Sequence, residues 1–185
     1  MVIPYARQSI SQQDINAVAE VLQSDYLTQG PVVPAFEDAV AELVGAKYAV
    51  AGNSATSMLH VACLALGVTA GDRVWTAPNS FVASANCALY CGAEVDFVDI
   101  DSETFNMSPP ALAFKLEQAS KSNTLPKVII AVHMGGQSCD MQSIGSLAKQ
   151  YGVKVIEDAS HAIGGSYNSQ KIGHCAHRDI TIFSF

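Results

Sequence analysis

The sequence predicts a layered α/β domain, mostly a parallel sheet flanked by helices. Three observations predict it. Short apolar runs alternate with longer segments of helical period. From residue 47 onward a strand, loop, helix and Gly stop recur in the same order. The composition of this 185-residue chain, 49% hydrophobic and 15% charged, is enough to bury one sizeable core and argues against disorder.

The elements follow in order. Ser11 to Gln23 reads as a helix, with Ser11 as cap, Asp14 in the first turn, and Ile15, Val18, Val21 and Leu22 on one face. Pro34 to Leu43 reads as a second helix stopped by Gly45, and the two would brace the main body. Lys47 to Ala51 reads as the first buried strand, turned by residues 52–57 into a helix that runs to Leu66 before Gly67. The next unit is strand Arg73 to Thr76, loop Ala77 to Ser80, helix Phe81 to Cys91 and stop Gly92. Strand Glu94 to Ile100, a helix from Pro109 capped by Ser108, strand Lys127 to Val132, helix Asp140 to Tyr151 and strand Val153 to Ile156 complete the alternation. Beyond Gly165 come short strands, a turn at Asn168 to Lys171, and a final apolar strand from Asp179 to Phe185. An apolar strand at that place exposes an edge or lacks a covering partner, so we expect 1–185 to be an incomplete domain.

Charge and composition exclude several classes. A net charge of -7 without runs of Lys or Arg disfavours nucleic acid. Neither a signal-peptide pattern nor a membrane-length apolar run occurs, so we expect a cytoplasmic protein without membrane partners. Five scattered cysteines, an odd number, fit reduced thiols.

The chemistry gathers in the loops. The turn Gly52 to Ser57 opens a helix, so the amides of Thr56 and Ser57 point outward with the positive end of the helix dipole; a phosphate cradle and a plain N-cap both fit. It lacks a dinucleotide glycine fingerprint and a P-loop lysine. Phe81 lies at the same edge, either as a ring that stacks on a flat cofactor or as a core aromatic. Asp158 follows an apolar strand, where a carboxylate is costly to bury unless something positive meets it. A protonated pyridine nitrogen would serve, and a helix-capping aspartate is the alternative. His161 stands three residues on. The cluster His174-Cys175-Ala176-His177 lacks a paired C-x-x-C, so no metal site is expected. His133-Met134-Gly135-Gly136-Gln137 is either a tight turn near a ligand or a simple strand-to-helix loop.

Six ordered segments together are similar to the DegT/DnrJ/EryC1/StrS family of sugar aminotransferases. They are Leu27-Thr28-Gln29-Gly30-Pro31, residues 53–57, Asn79-Ser80-Phe81-Val82-Ala83, residues 133–137, Glu157-Asp158-Ala159-Ser160-His161-Ala162 and residues 179–185. The resemblance covers essentially the whole chain. It implies the N-terminal part of the large domain of a fold type I enzyme that uses pyridoxal 5'-phosphate, cut before the small domain. Ile3-Pro4-Tyr5 and residues 24–31 resemble the branch that aminates a UDP-linked 4-keto-6-deoxy-N-acetylhexosamine towards pseudaminic acid. By the same resemblance, Thr56, Ser57 and Ser184 bind the cofactor phosphate and Phe81 stacks on the pyridine ring. Asp158 pairs with the ring nitrogen, and His161 supports Asp158 or the ring hydroxyl.

Two departures accompany it. The family's Schiff-base lysine would fall a few positions beyond Phe185, and neither Lys154 nor Lys171 is placed to substitute, so residues 1–185 contain no catalytic residue and should not turn over. Arg178 stands where close relatives commonly carry a small polar residue. The resemblance further implies a nucleotide-sugar substrate, glutamate as amino donor and a homodimer that completes the site. A non-catalytic binder of cofactor or nucleotide sugar, and a lysine-less sugar dehydratase relative, remain as alternatives; a Rossmann oxidoreductase lacks its glycine fingerprint.

Overall fold

The computed structural model describes residues 7–185, so Ile3-Pro4-Tyr5 lie outside the described residues. Helices α1 (Gln12–Gln23), α2 (Val32–Val44) and α3 (Ala55–Ala65) precede β1 (Arg73–Thr76), α4 (Ala83–Tyr90), β2 (Glu94–Phe97) and α5 (Pro109–Ser122). Then come β3 (Val128–Val132), α6 (Met141–Tyr151), β4 (Lys154–Asp158), a hairpin of β5 (Ser166–Tyr167) and β6 (Gln170–Lys171), and β7 (Ile180–Ile182). The helix starts follow from local chemistry: the side chains of Ser11, Ser54, Ser108 and Asp140 each accept a first-turn amide. At Ser11 and Asp14 the bonding is reciprocal, a capping box.

One five-stranded sheet, ordered β2-β1-β3-β4-β7, is parallel throughout. β3 is buried along nearly its whole length because helices cover both faces. On one face Trp75, Leu112, Leu116, Ile129, Met141 and Ile144 pack together beneath α5 and α6. On the other, Leu59, Cys63, Cys87, Val128, Ile130 and Ile156 pack beneath α3 and α4. All five strands point the same way, so the loops that leave their carboxyl ends share one edge, where such sheets bind ligands. Among the described residues no helix is long and apolar enough to cross a membrane.

Three sequence expectations change. Lys47 to Ala51 is not a strand, and Tyr48 and Val50 are exposed. A strand exists by the ladder it makes, and the amide of Ala51 instead donates to Glu37 Oε1 at 2.7 Å. A cavity of about 690 Å³, lined by residues 46–55, separates this segment from β7. Next, α1 braces nothing among the described residues: Ile15, Val18 and Leu22 are exposed and the helix buries no side chain, while α2 buries only Val44. Finally, three elements are shorter than expected. Phe81 and Val82 form the turn ahead of α4, β2 stops at Phe97 while Ile100 bridges Met107, and the last strand is confined to Ile180–Ile182.

Candidate cofactor site

The end of β4 carries two consecutive buried carboxylates, and strand alternation sends them to opposite faces. Asp158, 5% exposed, faces α4. Its Oδ2 accepts the Ser84 hydroxyl at 2.8 Å, and its Oδ1 accepts the Ser160 hydroxyl at 2.7 Å and the Ser160 amide at 3.2 Å. All three donors are neutral. Among the described residues no Lys, Arg or His pairs with Asp158, which leaves a buried anion without a counter-charge.

Glu157, fully buried, faces the other way and has the partners that Asp158 lacks. Its Oε1 accepts His133 Nε2 at 2.8 Å, while Oε2 accepts the Thr181 hydroxyl at 2.7 Å and lies 2.6 Å from Arg178 Nε. The Cys139 amide donates to His133 Nδ1 at 3.1 Å, so Nε2 carries the ring proton and donates to Glu157.

The carboxyl-edge loops are tied to one another. Buried Asn106 donates to the carbonyls of Gln137 and Ser138 and accepts the Met134 amide at 2.9 Å, which spans the turn after β3. Asn79 Nδ2 donates to the Phe105 carbonyl at 2.8 Å, joining the loop that precedes Phe81 to the loop that carries Asn106. Gly136, at φ +89°, lets the turn press on residue 161: a Cβ there would stand 2.6 Å from the His161 carbonyl oxygen. The turn of residues 133–137 is therefore packed against the segment after Asp158.

The six candidate residues fall into two groups. Phe81 follows β1, while Asp158 ends β4 and His161 follows it, all at the carboxyl edge of the sheet. Phe81 is 73% exposed rather than a core aromatic, and Ser80 and Ser84, one turn apart, bond at 3.2 Å beneath it. His161 is exposed and makes no side-chain hydrogen bond among the described residues; Ser84 and Ser160 are what support Asp158. The second group is the start of α3 with Ser184. Residues 52–55 and Ser184 line the same cavity, which runs along β7; of the six candidates only Ser184 lines it, and Thr56, Ser57, Asp158, Phe81 and His161 do not. Ser54 caps α3 and takes the Ser57 amide at 3.2 Å, so of the two amides expected to cradle a phosphate only that of Thr56 is free of a side-chain partner. No group of three or more His, Cys, Asp or Glu side chains among the described residues is arranged to hold a metal ion.

Reading the sequence alone missed Ser84, Ser160, Asn106 and the partners of Glu157. The contact from Ser84 to Asp158 spans 74 residues and leaves no local trace.

Comparison with known proteins settles the family. The model of the DegT/DnrJ/EryC1/StrS aminotransferase family matches residues 8–185. The chain belongs to that family. It is 43% identical over 183 residues to the spore coat polysaccharide biosynthesis protein SpsC of Bacillus subtilis, across 99% of this chain and 45% of that protein. It is also 43% identical over 183 residues to the UDP-4-amino-4,6-dideoxy-N-acetyl-beta-L-altrosamine transaminase of Campylobacter jejuni, across 99% of this chain and 47% of that one. Among solved structures it is similar to Helicobacter pylori PseC, an aminotransferase of pseudaminic acid biosynthesis, with a TM-score of 0.89 and 33% identity over 98% of this chain and 47% of that chain. The chain thus spans just under half the length of these relatives. The fold is that of the fold type I aminotransferases, and the cofactor of this family is pyridoxal 5'-phosphate.

Proposed function

We propose that this chain belongs to an enzyme that transfers an amino group, with glutamate as donor, to the keto group of a UDP-linked 4-keto-6-deoxy sugar. The observation that carries the reading is Asp158, a buried carboxylate at the carboxyl edge that meets neutral donors only among the described residues. A pyridinium N–H supplies the missing positive charge, so the residues fit pyridoxal 5'-phosphate. When bound, that cofactor acts as an electron sink for the substrate.

The chain's own groups then have separate tasks. Asp158 keeps a proton on the ring nitrogen, and Ser84 and Ser160 hold its carboxylate in place. Exposed Phe81 offers a face for the ring, and exposed His161 is free to support Asp158 or the ring hydroxyl. The Thr56 amide and the hydroxyls of Ser57 and Ser184 take the phosphate at the positive end of α3, while Ser54 keeps the Ser57 amide. The lysines weighed as substitutes are committed elsewhere: Lys154 bonds Asp179 at 2.7 Å, at the opposite end of β4 from Asp158, and Lys171 donates to the Gly164 carbonyl. On that basis residues 1–185 alone do not turn over. A cytoplasmic location and completion of the site by a second copy of the chain belong to the same reading.

Titration of the purified protein with pyridoxal 5'-phosphate, followed by absorbance, tests the site. Asp158→Asn keeps the shape and removes the charge, and we expect it to weaken binding at least about tenfold. Equal affinity and an unchanged spectrum in the variant would sink the assignment. In the full chain, glutamate-dependent amination of a UDP-linked 4-keto sugar, read by mass, tests the substrate class; amination of sugars lacking the nucleotide at the same rate counts against it.

A further inference from the structure

Arg178 lies just before β7, and its side chain is 4% exposed. A guanidinium is seldom buried without a partner, and this one has Glu157 at 2.6 Å and the Thr181 hydroxyl at 3.2 Å. Glu157 in turn holds His133, whose other ring nitrogen accepts the Cys139 amide. The histidine ring therefore bridges both ends of the loop from residue 133 to residue 139. The middle of that loop is held by Asn106 and pressed against residue 161. We propose that Arg178 is a positioning residue for the loop His133–Cys139 at the candidate cofactor site, acting through Glu157 and His133.

Hydrogen-bond directions show why the charge matters. Glu157 accepts from His133 Nε2–H and from the Thr181 hydroxyl, and its Oε2 pairs with the Arg178 guanidinium, whose Nε–H donates to the Thr181 hydroxyl oxygen. Without the guanidinium, the buried carboxylate that holds His133 has no counter-charge. Glutamine at position 157 removes that charge and keeps a carbonyl that accepts from His133 and an amide that donates to Thr181. The guanidinium is therefore required because residue 157 is a carboxylate.

This inference rests on the cofactor reading for one of its two readouts. In the full chain, Arg178→Met, Glu157→Gln and the double variant are titrated with pyridoxal 5'-phosphate. The ring nitrogens of His133 are followed by NMR, their signals identified as those lost in His133→Gln. Arg178→Met is expected to bind at least about tenfold more weakly and to lose the Nε2–H signature, while the double variant returns to within about threefold of wild type with the signature restored. If Arg178→Met does not fold, a folded double variant with the wild-type signature supports the proposal. Wild-type affinity and signature in Arg178→Met, or a double variant no better than Arg178→Met, would overturn it. If the wild-type protein takes no cofactor, the cofactor reading falls, and the His133 signature across the variants still decides the role of Arg178.

Discussion

Replacing Gly136 by Ala should be far more damaging than replacing its neighbour Gly135, although both carry a left-handed backbone. Gly135 sits at φ +61° with nothing within 4 Å of the position a Cβ would take. Its substitution should cost only the backbone preference, about 1–2 kcal/mol. Gly136 sits at φ +89°, and its Cβ would lie 2.6 Å from the His161 carbonyl oxygen, against the 3.4 Å at which ordinary contact begins. The carbonyl is backbone and cannot swing aside, while the turn that carries Gly136 is held by the three hydrogen bonds of Asn106. Relief means lengthening some of those bonds or displacing the residue 161 segment, which adds about 1–3 kcal/mol. Urea unfolding of both variants reads the difference directly, with the midpoint of Gly136→Ala below that of Gly135→Ala at an unchanged slope. In thermal unfolding the gap corresponds to about 2–12 °C, at about 2–4 °C per kcal/mol for a chain of this size. Equal midpoints would mean that the turn is not packed on residue 161 and that the two loops at the candidate site move independently.

Two further outcomes follow from titratable groups. Asp14 is held below its ordinary value of 3.8 by the Ser11 backbone amide first and the Ser11 hydroxyl second, so its contribution to α1 is present above 3.8 and lost as pH falls through the lower folded value. Helix chemical shifts of wild type and Asp14→Asn should therefore differ at about pH 6 and converge towards about pH 2, and a pH-independent difference would refute the cap. Burial pushes the Cys139 thiol up to about 12, and the hydrogen bond with Cys63, followed by burial, raises Cys87 as well. Iodoacetamide at about pH 8 should then alkylate exposed Cys175 while Cys139 and Cys87 survive, read by peptide mass; labelling of Cys139 at the rate of Cys175 would contradict its burial.

Much of the fold was legible because its signals are local. A serine or aspartate cap lies within three residues of the amide it satisfies, which is why Ser11, Ser108 and Asp140 mark the starts of α1, α5 and α6. Glycine stops at residues 45, 67 and 92 all adopt positive φ, as a helix end with a left-handed residue requires. The stretch of residues 47–51 misled because its apolar run has strand composition, whereas pairing depends on a neighbour that composition does not reveal. The amphipathic face of α1 misled in the same way: periodicity shows that a helix has an apolar side, not that anything among the described residues covers it.

By itself the sequence determined the order of elements from β1 onward, the parallel α/β class, the family, and the arrival of an acidic pair at the end of one strand. Only the tertiary structure decided what the two acids do. Strand alternation sends Glu157 and Asp158 to opposite faces, yet which face supplies a cation depends on partners 24 to 74 residues distant or on Arg178 beyond the hairpin. Glu157 meets that cation within the protein and Asp158 meets only neutral donors. The lack of a counter-charge at Asp158 among the described residues therefore arises from long-range packing, which no local pattern in the chain records.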